Sequence, residues 1–494
     1  MKRLNKLTRI TAATALLLLV CGVAPAGAQD TLKITLDDAL AIALSENPTV
    51  KVANKEIEKK KYAKKGVYAN LFPQVNFGVD YNRTLKKQVM YMDNMDDAFN
   101  IVDMMTPITG GIEQTFQQNN PGYTPGSLMQ NIQDVQNNLP PSPTNDQGIE
   151  IGRSNLWNTG FTAGMPLVSP MLWKSLQITG TDVELAVEQA RSSKIAMTNE
   201  VKKAFYGVLL AKDVYEVFKA SYNNAVDNYN DIKKKYDQGL IAEYDLIRVN
   251  VRVNNIEPNL LEAENSVRLA RWNLKALMGM DLDELIDCAG SLSDFDGELY
   301  ADYLSSTETS LVNNSELMLI DLQTKMLNQS LKLHKLEFSP TLAATFFYQW
   351  SVMDNSFNFK NYKWNPYSMV GVSLSVPIFA GGGKVNKIKE TNVALTQIKL
   401  QREDVERKLN MAIRQATDQM ATCVKKFEAS KRSVGEAEKG HSISLKRYDT
   451  GAGTLLELND SELALTQARL NYNQAIFEYV VAKSNLERIQ GEEK

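Results

Sequence analysis

Residues 234–249, KKYDQGLIAEYDLIRV, return at 446–461 as KRYDTGAGTLLELNDS, and no other feature limits the fold as much. Tyr236, Asp237, Gly239 and Leu246 each recur 212 residues later, as Tyr448, Asp449, Gly451 and Leu458. The same offset carries Ala263, Ala270, Leu274 and Gly279 onto Ala475, Ala482, Leu486 and Gly491 without a gap. Upstream, FTAGMPL (161–167) lies 211 residues before VSLSVPI (372–378), which sets Pro166 on Pro377. LFPQVNFGVDY (71–81) lies 267 before FSPTLAATFFY (338–348), which sets Pro73 on Pro340. The offsets differ by 56, so the first copy carries a 56-residue insertion. Such a chain is two tandem copies of one unit, here 29–290 and 291–494, and each copy must suit the fold of the other.

Within each copy the hydrophobic period changes in a fixed order. Val75, Phe77, Val79 and Tyr81 alternate with Asn76, Gly78, Asp80 and Asn82. Trp157, Phe161, Ala163 and Met165 alternate with Asn158, Gly160, Thr162 and Gly164. In the second copy Leu342, Ala344, Phe346, Tyr348 and Trp350 share one face, as do Val370, Val372, Leu374 and Val376. Strands of about ten residues, apolar on one face with aromatics near the ends, are the pattern of a membrane barrel. A soluble half-buried sheet is the plainer reading of any one of them. The loops between the strands, 83–155 and 352–366, fall on the outer side by topology, and the first is rich in Asn, Gln, Met and Pro.

After each strand pair comes a long stretch without proline, 174–236 and 384–448. At 1.5 Å per residue each would span roughly 95 Å as a helix. Ile388, Leu395, Ile398, Val405, Leu409, Ala412 and Ala416 step by three, four or seven, the rhythm of a coiled coil. Cys423 continues that phase as a packed seam residue. Gly239 and Gly451 stand where a left-handed C-cap is wanted, and a return helix follows each, closing at Gly279 and Gly491. Pro258 lies in the first return helix only, so a kink is expected there alone.

The N-terminus directs export. Lys2, Arg3, Lys6 and Arg9 precede the apolar run Ala15–Val20 and the small-residue site Ala26-Gly27-Ala28, a signal peptide over 1–28. Cys21 raises a lipid-anchored reading, against which the bulky Val20 counts. Removing the signal takes the formal charge from −3 to −7, a poor match to nucleic acid. No second apolar run of helical membrane length exists, so strands must do any crossing. Four strands cannot close a barrel, and an open edge is not tolerated in lipid. The chain must therefore oligomerise; two copies would give eight strands, and three would give twelve around an aqueous bore.

Nearly the whole mature chain resembles the TolC-like outer-membrane efflux proteins. The likeness rests on LDDALAIALSENP (36–48), the VPIF-GG exit, and the run from Arg447 to Gly491, taken in their order, spacing and duplication. The fold it implies is mainly α with membrane β: a homotrimer with a twelve-stranded β-barrel, four strands per chain, continued by a helical coiled-coil barrel. The activity it implies is a passive exit duct of a tripartite efflux or type I secretion system. Outer-membrane lipid, a periplasmic adaptor and an inner-membrane pump of RND or ABC type would be its partners. The resemblance places the periplasmic gate at Asp245, Tyr448, Glu457 and Asp460, and adaptor contacts at Gly239, Leu240, Gly451 and Gly453. It departs at Gly453, where the family carries an Arg, so an Arg latch to Asp245 cannot form. The plainer reading of the carboxylates is solvated helix-face charge.

The exit itself, VPIFAGGGKVNK (376–387), imitates a phosphate-binding loop. A P-loop needs G-x-x-x-x-G-K-[ST], but position 378 is Ile and 385 is Val. Its twin is Pro170-Met171-Leu172-Trp173, so Pro166, Pro377, Gly381 and Gly382 read as a strand-to-helix exit. His334 and His441 are expected on the surface, without ligand partners. No metal site, cofactor or catalytic motif is supported, which also weakens a cytosolic coiled-coil NTPase. A periplasmic coiled-coil adaptor remains the alternative function.

Overall fold

A computed structural model describes residues 32–90, 101–120, 122, 124–138, 149–296 and 310–492. The signal peptide and Cys21 lie outside these, as do 91–100 and 139–148 of the insertion. In chain order, β1 (Leu32–Ile34), α1 (Leu36–Glu46) and α2 (Pro48–Ala69) lead to β2 (Gln74–Arg83). The insertion holds β3 (Gln88–Met90), α3 (Ile101–Asn119), α4 (Ser127–Asn137) and β4 (Ile149–Ile151), and β5 (Asn155–Val168) follows. The long α5 (Pro170–Asp237) and its return α6 (Glu243–Met278) precede β6 (Ile286–Cys288). The second half runs α7 (Ser315–Leu336), β7 (Thr341–Asp354), β8 (Asn365–Ser375), α8 (Gly383–Asp449) and α9 (Leu455–Gln490). Two compact units result: a strand unit, 69–170 with 339–377, and a helical unit formed by the rest.

The strand unit is an antiparallel sheet in the order β2-β5-β7-β8. Its register puts Val75 beside Ala163, Ala163 beside Phe346 and Phe346 beside Val370. Two residues along, Phe77, Phe161, Tyr348 and Ser368 form the next row. The four alternating patterns thus share one face, because a shift of one residue in any strand would reverse it. Val75, Phe77, Val79, Val370, Val372 and Leu374 are each more than half exposed. Beyond the sheet, Phe357 and Phe359 pack on Trp157 with ring centroids 6.1 and 5.2 Å away. The short loop is therefore narrower than 352–366, since β7 continues to Asp354 and β8 begins at Asn365.

The insertion is not the plain loop expected over 83–155. β3 and β4 pair as a small antiparallel ladder, and α3 and α4 lie between them. Met104, Ile108, Ile112 and Phe116 step by four, and this helical stripe prevails over Pro107. The Glu113 carboxylate accepts from the backbone N–H groups of Gly126 (3.2 Å) and Leu128 (3.1 Å), tying α3 to the start of α4.

In the helical unit α5 and α6 have 68 and 36 residues, and α8 and α9 have 67 and 36. The first long helix starts four residues before Lys174, because Pro170 suits a first turn whose N–H groups need no partner. α6 runs through Pro258 without a break. The core joins Phe205 and Leu209 of α5, Leu274 and Met278 of α6, Phe427 of α8 and Tyr479 of α9. Leu395, Ile398, Leu409 and Ala416 are buried as their phase requires, and Cys423 is fully buried. β1 pairs in parallel with β6, Leu32 on Ile286 and Ile34 on Cys288, and Ile34 and Cys288 belong to the same core. Burial pushes the Cys288 thiol up to about 12, so it is inert at neutral pH.

The histidines correct the surface expectation. His334 Nδ1 lies 2.7 Å from the Glu337 carboxylate, and His441 Nδ1 lies 3.2 Å from the Ser461 hydroxyl. Neither ring is exposed. Both are pair-forming residues of packed helix faces.

Candidate functional site

The helical unit carries two hairpin tips built on the same backbone pattern. Gly239 has φ +71° and Gly451 φ +74°, a conformation that costs an L side chain. At the first tip the Gly239 N–H donates to Tyr236 O (2.8 Å) and the Leu240 N–H to Lys235 O (2.9 Å). At the second, the Gly451 N–H donates to Tyr448 O (3.1 Å) and the Ala452 N–H to Arg447 O (2.8 Å). These bonds satisfy the last carbonyls of α5 and α8 and reverse the chain. Leu240 stands well out from the first tip, 69% exposed.

The return helices begin differently. Thr454 caps α9: its hydroxyl accepts from the Glu457 N–H (3.2 Å), and the Glu457 carboxylate accepts from the Thr454 N–H (3.3 Å). At α6 the cap is Ala242, which has no side-chain oxygen to offer. Asp245, the counterpart of Glu457, is half-buried and close enough to Tyr448 to act on its phenol. Asp460 is exposed. The structure thus brings Asp245 and Tyr448 together and gives Glu457 a capping role, while Asp460 is open to solvent.

Between the tips Ile232, Val249 and Leu455 are buried in one cluster, with Tyr229, Ile241, Leu246 and Tyr448 around them. Lys235 Nζ sits 5.2 Å from the Tyr448 ring centroid. Burial pushes the Tyr448 phenol above its ordinary 10.0, and the carboxylates of Asp245, Asp449 and Asp231 push the same way. A raised phenol pKa favours the neutral form in the fold. Its contribution is complete below pH 10.0 and falls as pH rises through the raised value. We expect Tyr448→Phe to remove one of the late-ionising tyrosines of an alkaline ultraviolet titration, a class to which burial also assigns Tyr472; an undiminished late phase would place Tyr448 in solvent.

Gly453 cannot hold the family arginine without rearrangement. A Cβ there would come within 3.0 Å of Arg447 Cβ and 3.2 Å of the Tyr448 backbone nitrogen. The second tip draws its arginine from position 447, whose guanidinium donates to Ala452 O (3.2 Å) and stands 3.6 Å from Glu457. Above the apolar cluster lies an ion pair that sequence reasoning missed. Arg252 Nη2 of α6 is 3.0 Å from the Glu462 carboxylate of α9, with side chains 18% and 8% exposed. The Ser221 hydroxyl of α5 donates to the other Glu462 oxygen (3.4 Å). Its sequence signal was available: Leu455, Leu458, Glu462 and Leu465 step by three and four, so a charge occupies a seam position.

At the strand exit, Gly381 (φ +60°) and Gly382 (φ +77°) turn the chain into α8, and a Cβ on either would meet nothing. Backbone conformation, not space, selects glycine there. Pro166 lies at a register shift in β5, and Pro377 follows the end of β8. Lys384, the lysine of the P-loop resemblance, donates to Glu337 O (2.5 Å) and lies 5.4 Å from the Phe338 ring centroid. It serves the end of α7.

The family model described as outer membrane efflux protein matches residues 127–280 and 307–492. The chain belongs to the outer membrane efflux protein family. It is 24% identical over 61% of its length to the alkaline protease secretion protein AprF of Pseudomonas aeruginosa, and spans 63% of that relative. It is 21% identical over 68% of its length to the outer membrane protein TolC of Vibrio cholerae, and spans 77% of it. The fold is that of the CmeC outer membrane channel of Campylobacter jejuni, at a TM-score of 0.66 and 13% identity, covering 95% of this chain and 90% of that one. VceC of Vibrio cholerae gives a TM-score of 0.64 at 12% identity, covering 92% and 96%.

Proposed function

We propose that this member of the family is a passive outer-membrane exit duct, assembled from three copies and gated at its helical tips. The observation that carries it is one four-stranded sheet, apolar on an exposed face and open at β2 and β8, in the same chain as two long helical hairpins. Three such sheets joined edge to edge close a twelve-stranded barrel with an aqueous bore. The helices also present uncovered apolar seams. On α6 Tyr244, Ile247 and Val251 step by three and four, and each is at least half exposed, as a face meeting another copy would be. Family membership favours this reading over a periplasmic adaptor. The tips then meet an adaptor, and an inner-membrane pump supplies energy and selects cargo.

The test is membrane fractionation with chemical cross-linking. Recovery of a cross-linked trimer from the outer-membrane fraction is expected; a monomer in the soluble periplasm would refute the duct. In the ring, Asp245, Glu457 and Asp460 recur three times and concentrate negative potential at the mouth. Changing them to Asn, Gln and Asn is expected to lower cation preference, read as a shift in reversal potential across a salt gradient. An unshifted potential would make them face charges only.

A further inference from the structure

We infer that a cavity between α5 and α6 is a binding site for a small organic monocarboxylate with an aromatic or branched aliphatic body. It belongs to one chain, at the end of α6 opposite the tip, and does not depend on the duct reading. The cavity holds about 630 Å³ and is bounded by α5 at Lys212 and Tyr215, by α6 from Glu264 to Lys275, and by the segment leading into β6. That volume suits a small ligand.

The duplication shows that the fold does not demand this opening. At the 212-residue offset Tyr215, Glu264, Val267 and Arg268 fall on Phe427, Ile476, Tyr479 and Val480. Those four belong to the core, and none is more than 6% exposed. The first repeat has a valine where a tyrosine fills the second, and exposed Glu264 and Arg268 where the second has buried aliphatics.

The wall of the cavity is cationic. Arg268, Arg271 and Lys275 step by three and four along α6, so they share one face. Lys275 is 5% exposed, yet its ammonium donates only to Leu282 O (2.8 Å), and no carboxylate pairs with it among the described residues. An ammonium has three donors, and a buried charge without a counter-ion is costly. Arg271 and Lys212 share the Asp287 carboxylate, at 2.8 and 3.0 Å. Arg271 Nε is buried without a partner among the described residues. Side chains four apart on a helix start about 5–6 Å from each other, a span that one carboxylate bridges. Its two oxygens would accept from Lys275 and from Arg271 Nε. Trp272, 43% exposed, and Leu285, 52% exposed, offer apolar faces to the body of the ligand. Asp213 is already engaged, accepting from the Ser291 hydroxyl (3.2 Å) and the Leu292 N–H (3.1 Å). Glu264 and Asp283 are exposed, without a cation partner among the described residues, and repel a second negative charge. They select a monoanion.

Calorimetric titration of the full chain in lipid nanodiscs with phenylbutyrate tests this. One saturable site per chain is expected. The neutral phenylbutyramide is expected to bind about tenfold more weakly, the cost of a lost charge-assisted hydrogen bond. Benzylsuccinate, which adds a second carboxylate, is also expected to bind more weakly than phenylbutyrate. Lys275→Met should weaken phenylbutyrate by about the same factor. Trp272→Ala, at an exposed position, should weaken acid and amide alike. Val267→Tyr copies the second repeat, fills the cavity and is expected to abolish binding. No saturable binding at millimolar phenylbutyrate, equal affinity for acid and amide, or tighter binding of benzylsuccinate each overturns the inference. So does binding that ignores both Trp272→Ala and Val267→Tyr. Should Lys275→Met fail to fold, the ligand series on the parent protein still decides.

Discussion

Valine at both Gly239 and Gly451 is expected to abolish export while the assembled channel still forms. Both glycines hold left-handed φ, which costs an L residue about 1–2 kcal/mol, and more when the side chain is β-branched. That strain falls on two turns at the ends of helices more than 60 residues long, so it does not reach the core. A Cβ at either position meets nothing within 4 Å, so the added side chains project outward, where an adaptor would seat. Dye accumulation in the producing cells reads export, and cross-linking reads assembly. Gly→Asn at both sites, which tolerates the left-handed turn, separates bulk from strain. Asn variants that export while Val variants fail show that the turn conformation matters most. Failure of both points to the surface the glycines leave clear. Export by the valine variant would remove the tips from adaptor contact.

What could be read in the sequence depended on pattern length. Strands of ten or more residues with a period of two showed which residues share a face, and the sheet adds the register and the partners. The tips were legible because Tyr-Asp-x-Gly recurs and a left-handed cap has few solutions. By contrast β1 and β6 are three residues each and lie about 250 positions apart, too short for periodicity and too distant for a turn signal. In the insertion, Pro107 and an Asn/Gln-rich composition hid the four-residue stripe of α3. At the second tip the absence of arginine at 453 was visible, but the place of Arg447 beside Glu457 depends on that tip folding back on the end of its own helix. The histidines misled for a similar reason: their partners, Glu337 three residues on and Ser461 across a hairpin, are neither metal-ligand sets nor solvent.

Arg252→Met alone is expected to destabilise the helical unit strongly, and Arg252→Met with Glu462→Leu to restore most of the loss. Removing one member of a buried pair leaves the other charge uncompensated, a cost of about 3–5 kcal/mol. Glu462, 8% exposed, would keep only the Ser221 hydroxyl as a partner. The lower end of that range applies, because Arg252 is 18% exposed and its Nε has no partner among the described residues. Replacing both charges by apolar groups of similar volume removes the desolvation penalty and extends the Ile232–Val249–Leu455 cluster upward. Denaturant titration of the detergent-solubilised protein gives the two single losses and the double, and their non-additivity measures the coupling. Additive losses would mean that the pair makes no contact in solution.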